Sequence, residues 1–168
     1  MSIKKMTTLA LYTVIALTIF VIESALPPLV PIPGIKLGLA NIVTLLLLKN
    51  YSPGETFLVL IMRIVLSVFF AGQAMSLLYS LAGGLFCFVA MYAVHRFLSG
   101  KFLFVTSIIG ALFHNAGQLL VAFLITSTTA VFLYAPYLIL SGTITGLFTG
   151  LCAHFAQKYL LPHMKRNT

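Results

Sequence analysis

The sequence predicts an all-α membrane protein, a bundle of six transmembrane helices that forms one integral membrane domain over residues 1–168. Two observations predict this fold class. First, 61% of the residues are hydrophobic and only 7% are charged, so the chain has too few charges to cover a water-facing surface. Second, six apolar stretches follow one another, and in lipid each is expected to be a helix because an isolated strand leaves its backbone polar groups unsatisfied.

The six predicted helices follow the apolar stretches in chain order. Polar, Gly-containing or Pro-containing breaks at residues 27–34, 50–54, 72–73, 99–101 and 126–129 separate them. The predicted helices are residues 7–26, 36–48, 55–71, 75–98, 102–125 and 136–160.

The first stretch is predicted to remain as a membrane span rather than to be removed as a signal peptide. It follows Lys4 and Lys5, but it has the length of about 20 residues that a span requires, and it runs into Glu23 and Ser24 without a small-residue cleavage pattern. The chain is therefore expected to be a multi-pass membrane protein.

The distribution of basic residues predicts that both termini lie in the cytoplasm. With the N-terminus inside, eight of the ten Lys and Arg residues fall on the cytoplasmic side, and an even number of spans returns the C-terminus to that side. Because these cations are scattered between apolar blocks, their expected partners are anionic lipid headgroups rather than nucleic acid. The eight are Lys4, Lys5, Lys49, Arg96, Lys101, Lys158, Lys165 and Arg166.

The second predicted helix is too short to cross a membrane alone. Its 13 residues, 36–48, would extend about 20 Å, against about 30 Å of hydrocarbon. The four prolines and one glycine of residues 27–34 resist helix formation, so this stretch is expected to dip into the bundle as an extended loop that lines a cavity. Short or broken spans of this kind often mark binding sites in transporters. The alternative is a short tilted helix behind a rigid outer loop.

Arg63 lies in the middle of the third predicted helix, where a charge costs about 2.5 to 3.5 kcal/mol on insertion scales. It therefore needs a partner. The chain has two acidic residues, and Glu23, in the outer part of the first helix, is better placed than Glu55, two turns away on the same helix as Arg63. Two interpretations stay open: a structural Arg63–Glu23 pair, or a site for a bound anion.

The fifth predicted helix carries three adjacent polar side chains. His114 and Gln118 are four residues apart and share one face, and Asn115 lies beside them. They are predicted either to form hydrogen bonds between helices, worth about 0.6 kcal/mol each, or to form the wall of a ligand site. No second His or carboxylate stands at ligand spacing from His114, so no metal site is predicted.

Lys36 and Asn41 complete the predicted site. Glu23, Lys36 and Asn41 fall in the outer third of their segments, whereas Arg63 and His114 fall near the middle. These depths predict one pocket that opens to the outside. Because cations outnumber the single carboxylate, the expected ligand is a small polar or anionic molecule.

The last predicted helix has Gly142, Gly146 and Gly150 at four-residue spacing, a strip of small residues that lets another helix approach closely. The partner helix could belong to this chain or to a second protein. Ala10 contributes a weaker small-residue face on the first helix.

The motif from Pro33 to Asn41, which reads PGIKLGLAN, together with Glu23-Ser24-Ala25-Leu26-Pro27-Pro28 before it, resembles the signature of a bacterial membrane family. This family is called the Gx transporter family or heptaprenyl diphosphate synthase component I. The resemblance implies the fold of the substrate-capture (S) subunits of energy-coupling-factor transporters, which hold a small molecule in an outward-facing pocket. Those subunits are driven by a membrane coupling subunit with two ATPases. They commonly present an Ala-x-x-x-Ala face to it, whereas the residue four after Ala10 is Val14.

We therefore expect a substrate-binding membrane subunit of an uptake system that is not itself an enzyme and needs no cofactor. The chain has no aspartate and no G-x-x-x-x-G-K-[ST] loop, so neither a magnesium site for prenyl transfer nor an ATPase is predicted. The alternative is a non-catalytic accessory subunit of prenyl diphosphate or quinone synthesis, or of a flavin or quinone electron-transfer system.

Overall fold

The computed structural model describes residues 2–25, 35–71, 74–98 and 102–160, and these ranges contain helices and no strand. Five of the helical stretches are long and apolar enough to cross a membrane. The all-α membrane class predicted from the sequence is confirmed. The helices are α1 (Ile3–Ser24), α2 (Asn41–Asn50), α3 (Pro53–Ala71), α4 (Ala74–Phe97), α5 (Leu103–Thr126) and α6 (Ala135–Phe155), with a 3₁₀ turn (Thr129–Tyr134) before α6 and a π turn (Ala156–Leu160) after it.

The short helix α2 lies inside the bundle. It contacts α1, α3, α4, α5 and α6, and its residues Leu45 and Leu47 are fully buried. A helix that is apolar on all sides is expected in such a position. Its 10 residues extend about 15 Å, so α2 covers only part of a membrane's thickness.

The longer helices surround α2. The most extensive contacts join α5 to α4 on one side and to α6 on the other, while α1 packs on α3 and α3 on α4. Lys5 near the start of α1 forms an ion pair with Glu55 near the start of α3, so both helices begin at the same end of the bundle. Helix α5, which carries the predicted polar residues, therefore lies between α4 and α6.

The predicted start of the second helix at Lys36 is wrong. Residues 35–38 are not helical, and α2 begins at Asn41. The cause is Gly38, whose φ of +79° is a left-handed conformation that favours glycine, and whose carbonyl accepts a hydrogen bond from Asn41 N. Lys36 thus belongs to a non-helical segment, residues 35–39, that we call the entry segment. The loop predicted at residues 27–34 lies outside the described residues.

The glycine strip of α6 faces α5 of the same chain. A Cβ atom on Gly146 would lie 2.6 Å from Ile108 Cα, and one on Gly150 would lie 3.2 Å from Phe104 Cα. Between these two contacts, Ser107 Oγ and Thr149 Oγ1 form a hydrogen bond of 2.8 Å. The small residues let the two backbones approach so closely that no larger side chain fits at Gly146.

Candidate functional site

Glu23 anchors the entry segment to the last turn of α1. Its Oε1 accepts a hydrogen bond from Gly38 N (2.7 Å) and its Oε2 accepts one from Leu39 N (3.0 Å). The Glu23 side chain is buried, and both carboxylate oxygens are satisfied by these backbone donors. Hydrogen bonds to a charged acceptor are worth about 1.5 to 3 kcal/mol each, so Glu23 stabilises the conformation of the segment that precedes α2.

Lys36 bends back onto the end of α1. Its Nζ donates a hydrogen bond to Ser24 Oγ (2.6 Å) and lies 3.6 Å from the centroid of the Phe20 ring, a cation–π contact. Partial burial lowers the pKa of the Lys36 ammonium to about 8; the negative charge of Glu23 opposes this shift and the positive charge of Arg63 adds to it. Near neutral pH the ammonium is therefore charged but easily deprotonated.

We expect the low pKa of Lys36 to make the protein more stable as the pH rises through about 8 toward 10.5, the ordinary value for lysine. In that window the folded chain binds fewer protons than the unfolded chain, so the free energy of unfolding increases with pH. The charged groups that interact with Lys36 are Glu23 and Arg63. Melting temperatures at pH 7 and pH 10 measure the effect.

Lys36→Arg is the matched variant for this measurement, because arginine keeps its charge across the whole range. The rise in melting temperature between pH 7 and pH 10 should be smaller in Lys36→Arg than in the native protein. An equal rise in both proteins would assign the effect to other titrating groups.

Gln118 on α5 holds the entry segment from the opposite side. The Gln118 amide is oriented so that both its nitrogen and its oxygen have hydrogen-bond partners. Nε2 donates to Lys36 O (2.9 Å), and Oε1 accepts from Lys36 N (3.2 Å) and from His114 Nε2 (3.1 Å). The side chain thus pairs with the backbone of Lys36. Gln118 and Glu23 together attach the entry segment to α5 and α1.

The ring of His114 is enclosed by two glycines. A Cβ atom on Gly38 would lie 2.8 Å from His114 Cδ2, and one on Gly83 of α4 would lie 2.7 Å from His114 Cε1. His114 is buried, and a larger residue at either glycine would displace its ring. The predicted proximity of His114 and Gln118 is therefore realised against the entry segment and α4.

Arg63 lies in the middle of α3 and is only 4% exposed. Its Nη2 has no hydrogen-bond partner among the described residues, and it would lie 3.7 Å from a Cβ atom on Gly84, the neighbour of Gly83. Among the described residues, the ion pair within contact distance joins Lys5 and Glu55. Arg63 and Glu23 are therefore not in direct contact, and they interact only through their charges. A buried guanidinium group without a hydrogen-bonded counter-ion is costly.

The two asparagines of the predicted site lie in different places. Asn41 is buried beside Gly38, and neither its Nδ2 nor its Oδ1 has a hydrogen-bond partner in the described part of the chain. Asn115 instead faces α6, where its Nδ2 donates to Leu138 O (2.7 Å) beside Gly142. The structure brings the side chain of Asn41 to the entry segment and uses Asn115 to join two helices.

Six of the predicted residues thus converge on the entry segment and on Gly83-Gly84, and we call this group the polar cluster. It joins α1, α2, α3, α4 and α5 at the middle and one end of the bundle. Within the described ranges, no group of three His, Cys, Asp or Glu residues could hold a metal ion. The members of the polar cluster are Glu23, Lys36, Asn41, Arg63, His114 and Gln118.

The face of α4 that contacts this cluster was not predicted from the sequence. Ser76, Ser80, Gly83, Gly84 and Cys87 recur at helical spacing, and the side chains of both serines and of the cysteine are buried. Two consecutive glycines inside an apolar span were a usable signal. Glycine is unfavourable in a helix interior, and its presence there often reflects a close contact.

The packing residues predicted on α1 and α6 also have defined positions. Ala10 and Val14 lie on the exposed face of α1, whereas Gly142, Gly146 and Gly150 are enclosed against α5. The glycine strip of α6 is therefore packed against α5 of the same chain, whereas the Ala10 face of α1 is exposed.

Comparison with known proteins gives one family. The family model for heptaprenyl diphosphate synthase component I matches residues 12–156, a range that contains the whole polar cluster. No curated protein and no solved structure matches the chain.

Proposed function

Because this chain belongs to the heptaprenyl diphosphate synthase component I family, whose model covers residues 12–156, we propose that it is a membrane subunit that works with separate catalytic or energising partners. Its own role in this proposal is to bind a small polar or anionic molecule at the polar cluster. The observation that carries the proposal is the buried Arg63, whose Nη2 lacks a partner among the described residues.

The buried charge of Arg63 is energetically costly. Placing a guanidinium group inside a membrane bundle costs several kcal/mol, about 2.5 to 3.5 on insertion scales. A structural role would offset this cost through a direct ion pair, but Glu23 uses both carboxylate oxygens on the backbone of Gly38 and Leu39. A bound anionic group would offset the cost while the site is occupied.

The surrounding residues suit a binding site better than a packing contact. Asn41 offers a donor and an acceptor beside Gly38, and its buried amide costs about 1 to 3 kcal/mol while it is unpaired. The entry segment is attached to α1 and α5 by hydrogen bonds rather than by a continuous helix. A ligand that reached both Arg63 and Asn41 would contact α3 and α2 at once.

We further propose that the chain is not an enzyme. Prenyl transfer needs magnesium held by carboxylates, and the sequence has two acidic residues, both glutamates. Glu23 is bound to the entry segment, and Glu55 pairs with Lys5 and accepts a hydrogen bond from Ser52 N at the start of α3. Neither is free to hold a metal for catalysis, so any prenyl transfer falls to a partner.

Uptake likewise requires a partner, since the sequence contains no nucleotide-binding loop. In the transporter version of the proposal, a membrane coupling subunit with ATPases supplies the energy. The exposed Ala10 face of α1 is the expected contact, with Val14 one turn further along it. Ala10→Leu should then weaken co-purification with the coupling subunit and leave ligand binding unchanged.

The experiment that tests the function is mass spectrometry of the full-length protein purified gently in detergent. A bound water-soluble molecule that disappears from Arg63→Met and persists in Lys5→Met supports the proposed site, because Lys5 lies at the other end of α1. A ligand retained by Arg63→Met would refute the site.

The family description favours a second candidate, an accessory subunit of a prenyl diphosphate synthase. This candidate predicts that a soluble synthase or a long isoprenoid, rather than a small water-soluble molecule, co-purifies with the chain. A redox subunit would instead be recovered with flavin-containing or quinone-binding proteins.

A further inference from the structure

Resting on the proposed function, we infer that the ligand is a small monoanion that also carries a neutral donor–acceptor group, such as a carboxamide or a lactam, and is neither a phosphate nor a diphosphate. This inference names the chemical class of the ligand at the polar cluster. It is drawn from the charges of the cluster and from which of its polar atoms lack partners.

The charge of the polar cluster limits the charge of the ligand. Arg63 and the half-buried Lys36 are formally cationic and Glu23 is formally anionic, so the formal charges of these groups sum to +1. Charges interact strongly where water is largely excluded. A ligand with one negative charge brings the group to neutrality, whereas an ionised diphosphate leaves a buried excess of negative charge.

The hydrogen bonds that the charged side chains of the cluster already make also argue against a diphosphate ligand. Both oxygens of Glu23 accept backbone hydrogen bonds, and Lys36 Nζ already donates to Ser24 and contacts the Phe20 ring. Among the buried atoms of these charged side chains, Arg63 Nη2 is the one without a partner. It can serve one acceptor group such as a carboxylate, but a diphosphate presents oxygens that require several cationic donors or a metal.

Asn41 adds the requirement for a neutral group. Its Nδ2 and Oδ1 are both buried and both without partners, so the conclusion holds for either orientation of the amide. An adjacent donor and acceptor are matched by a carboxamide, a lactam or a similar group. A fully ionised diphosphate has only acceptors and would leave Oδ1 of Asn41 unpaired, whereas a lactam supplies the N–H donor that this oxygen lacks.

The inference is tested by thermal shift and binding isotherms on the full-length protein in detergent at pH 7 and constant ionic strength. The probes are pyroglutamate, acetate, inorganic phosphate and inorganic diphosphate. Pyroglutamate combines one carboxylate with a lactam, and acetate lacks the lactam. Inorganic phosphate at pH 7 is a mixture of a monoanion and a dianion, neither of which has a planar N–H and C=O pair, and diphosphate carries more charge than any of the other probes. We expect pyroglutamate to bind at least about tenfold more tightly than each of the others, since one matched hydrogen-bonding group is worth about 1.4 kcal/mol.

Two variants separate the charge requirement from the hydrogen-bonding requirement. Glu23→Gln raises the net charge of the cluster by one unit and should shift the preference toward phosphate about tenfold, while Glu55→Gln makes the same change outside the cluster and should not. Asn41→Leu should remove the preference for pyroglutamate over acetate without lowering the melting temperature. If Glu23→Gln fails to fold, Asn41→Leu and the probe series still decide the result.

Binding of diphosphate or phosphate more tightly than pyroglutamate, dependent on Arg63, would overturn the inference and leave the proposed function standing. So would a co-purified ligand with two or more negative charges. No binding of any of the four probes would also overturn it. Recovery of only an isoprenoid or a soluble synthase would overturn both the inference and the proposed function.

Discussion

Arg63→Met should weaken binding of the co-purified ligand by about 30-fold or more, while the melting temperature of the ligand-free protein stays unchanged or rises. Removing one partner of a buried charged hydrogen bond costs about 2 to 5 kcal/mol of binding free energy. In the ligand-free protein the substitution should not lower the melting temperature, because it removes a buried charge whose Nη2 has no partner among the described residues. Binding isotherms and thermal melts on the same preparations measure both effects.

The two measurements distinguish a binding role from a structural one. If Arg63 served only to hold α3 against α1 through Glu23, then Arg63→Met would lower the melting temperature and leave ligand binding intact. Arg63→Lys is the control for charge: it keeps the cation but loses the planar group, so it should retain part of the affinity. Full affinity in Arg63→Met would exclude Arg63 from the site.

Gly146→Ala should destabilise the protein by about 1 to 3 kcal/mol, the usual cost of overpacking a well-packed contact. The added Cβ atom would lie 2.6 Å from Ile108 Cα and 3.1 Å from Ile108 N, which are backbone atoms of α5 that cannot move aside alone. Gly146→Leu should have a larger effect for the same reason. Thermal or denaturant unfolding in detergent measures the loss.

Gly54→Ala provides the matched control, since a Cβ atom on Gly54 meets nothing within 4 Å. The chemical change is identical and both glycines are helical, so any difference between the two variants reports the contact of α6 with α5. Ligand affinity should be nearly unchanged in Gly146→Ala, because none of the six residues of the polar cluster lies on α6. Equal stability of the two variants would contradict the proposed contact.

Much of the fold was predictable from residue types and their periods. The low content of charged residues required a membrane environment, and the breaks between apolar stretches gave helices whose bounds mostly differ from the structure by a few residues. The short second helix was predicted because its length is below that of a span, but its start was placed too early. The helix begins only after Gly38, whose φ is positive and whose N–H binds Glu23, and periodicity reports neither feature.

The site was predictable in part. Buried charge and buried amides are costly in any membrane bundle, so Arg63, His114 and Gln118 could be selected from sequence alone. Their partners could not, because a helix presents different faces to different neighbours. Asn115 is adjacent to His114 in the chain, yet it faces α6 while His114 faces the entry segment and α4.

The sequence by itself determined that this chain is a helical membrane protein with a few expensive polar side chains inside it, because composition and hydrophobic length act without reference to neighbours. The tertiary structure alone decided that Glu23 bonds to the backbone rather than to Arg63, and that Gly83 and Gly84 bring α4 against the polar cluster. The physical reason is that hydrogen bonding and close packing depend on which atoms meet across helices, and residues far apart in the chain supply those atoms.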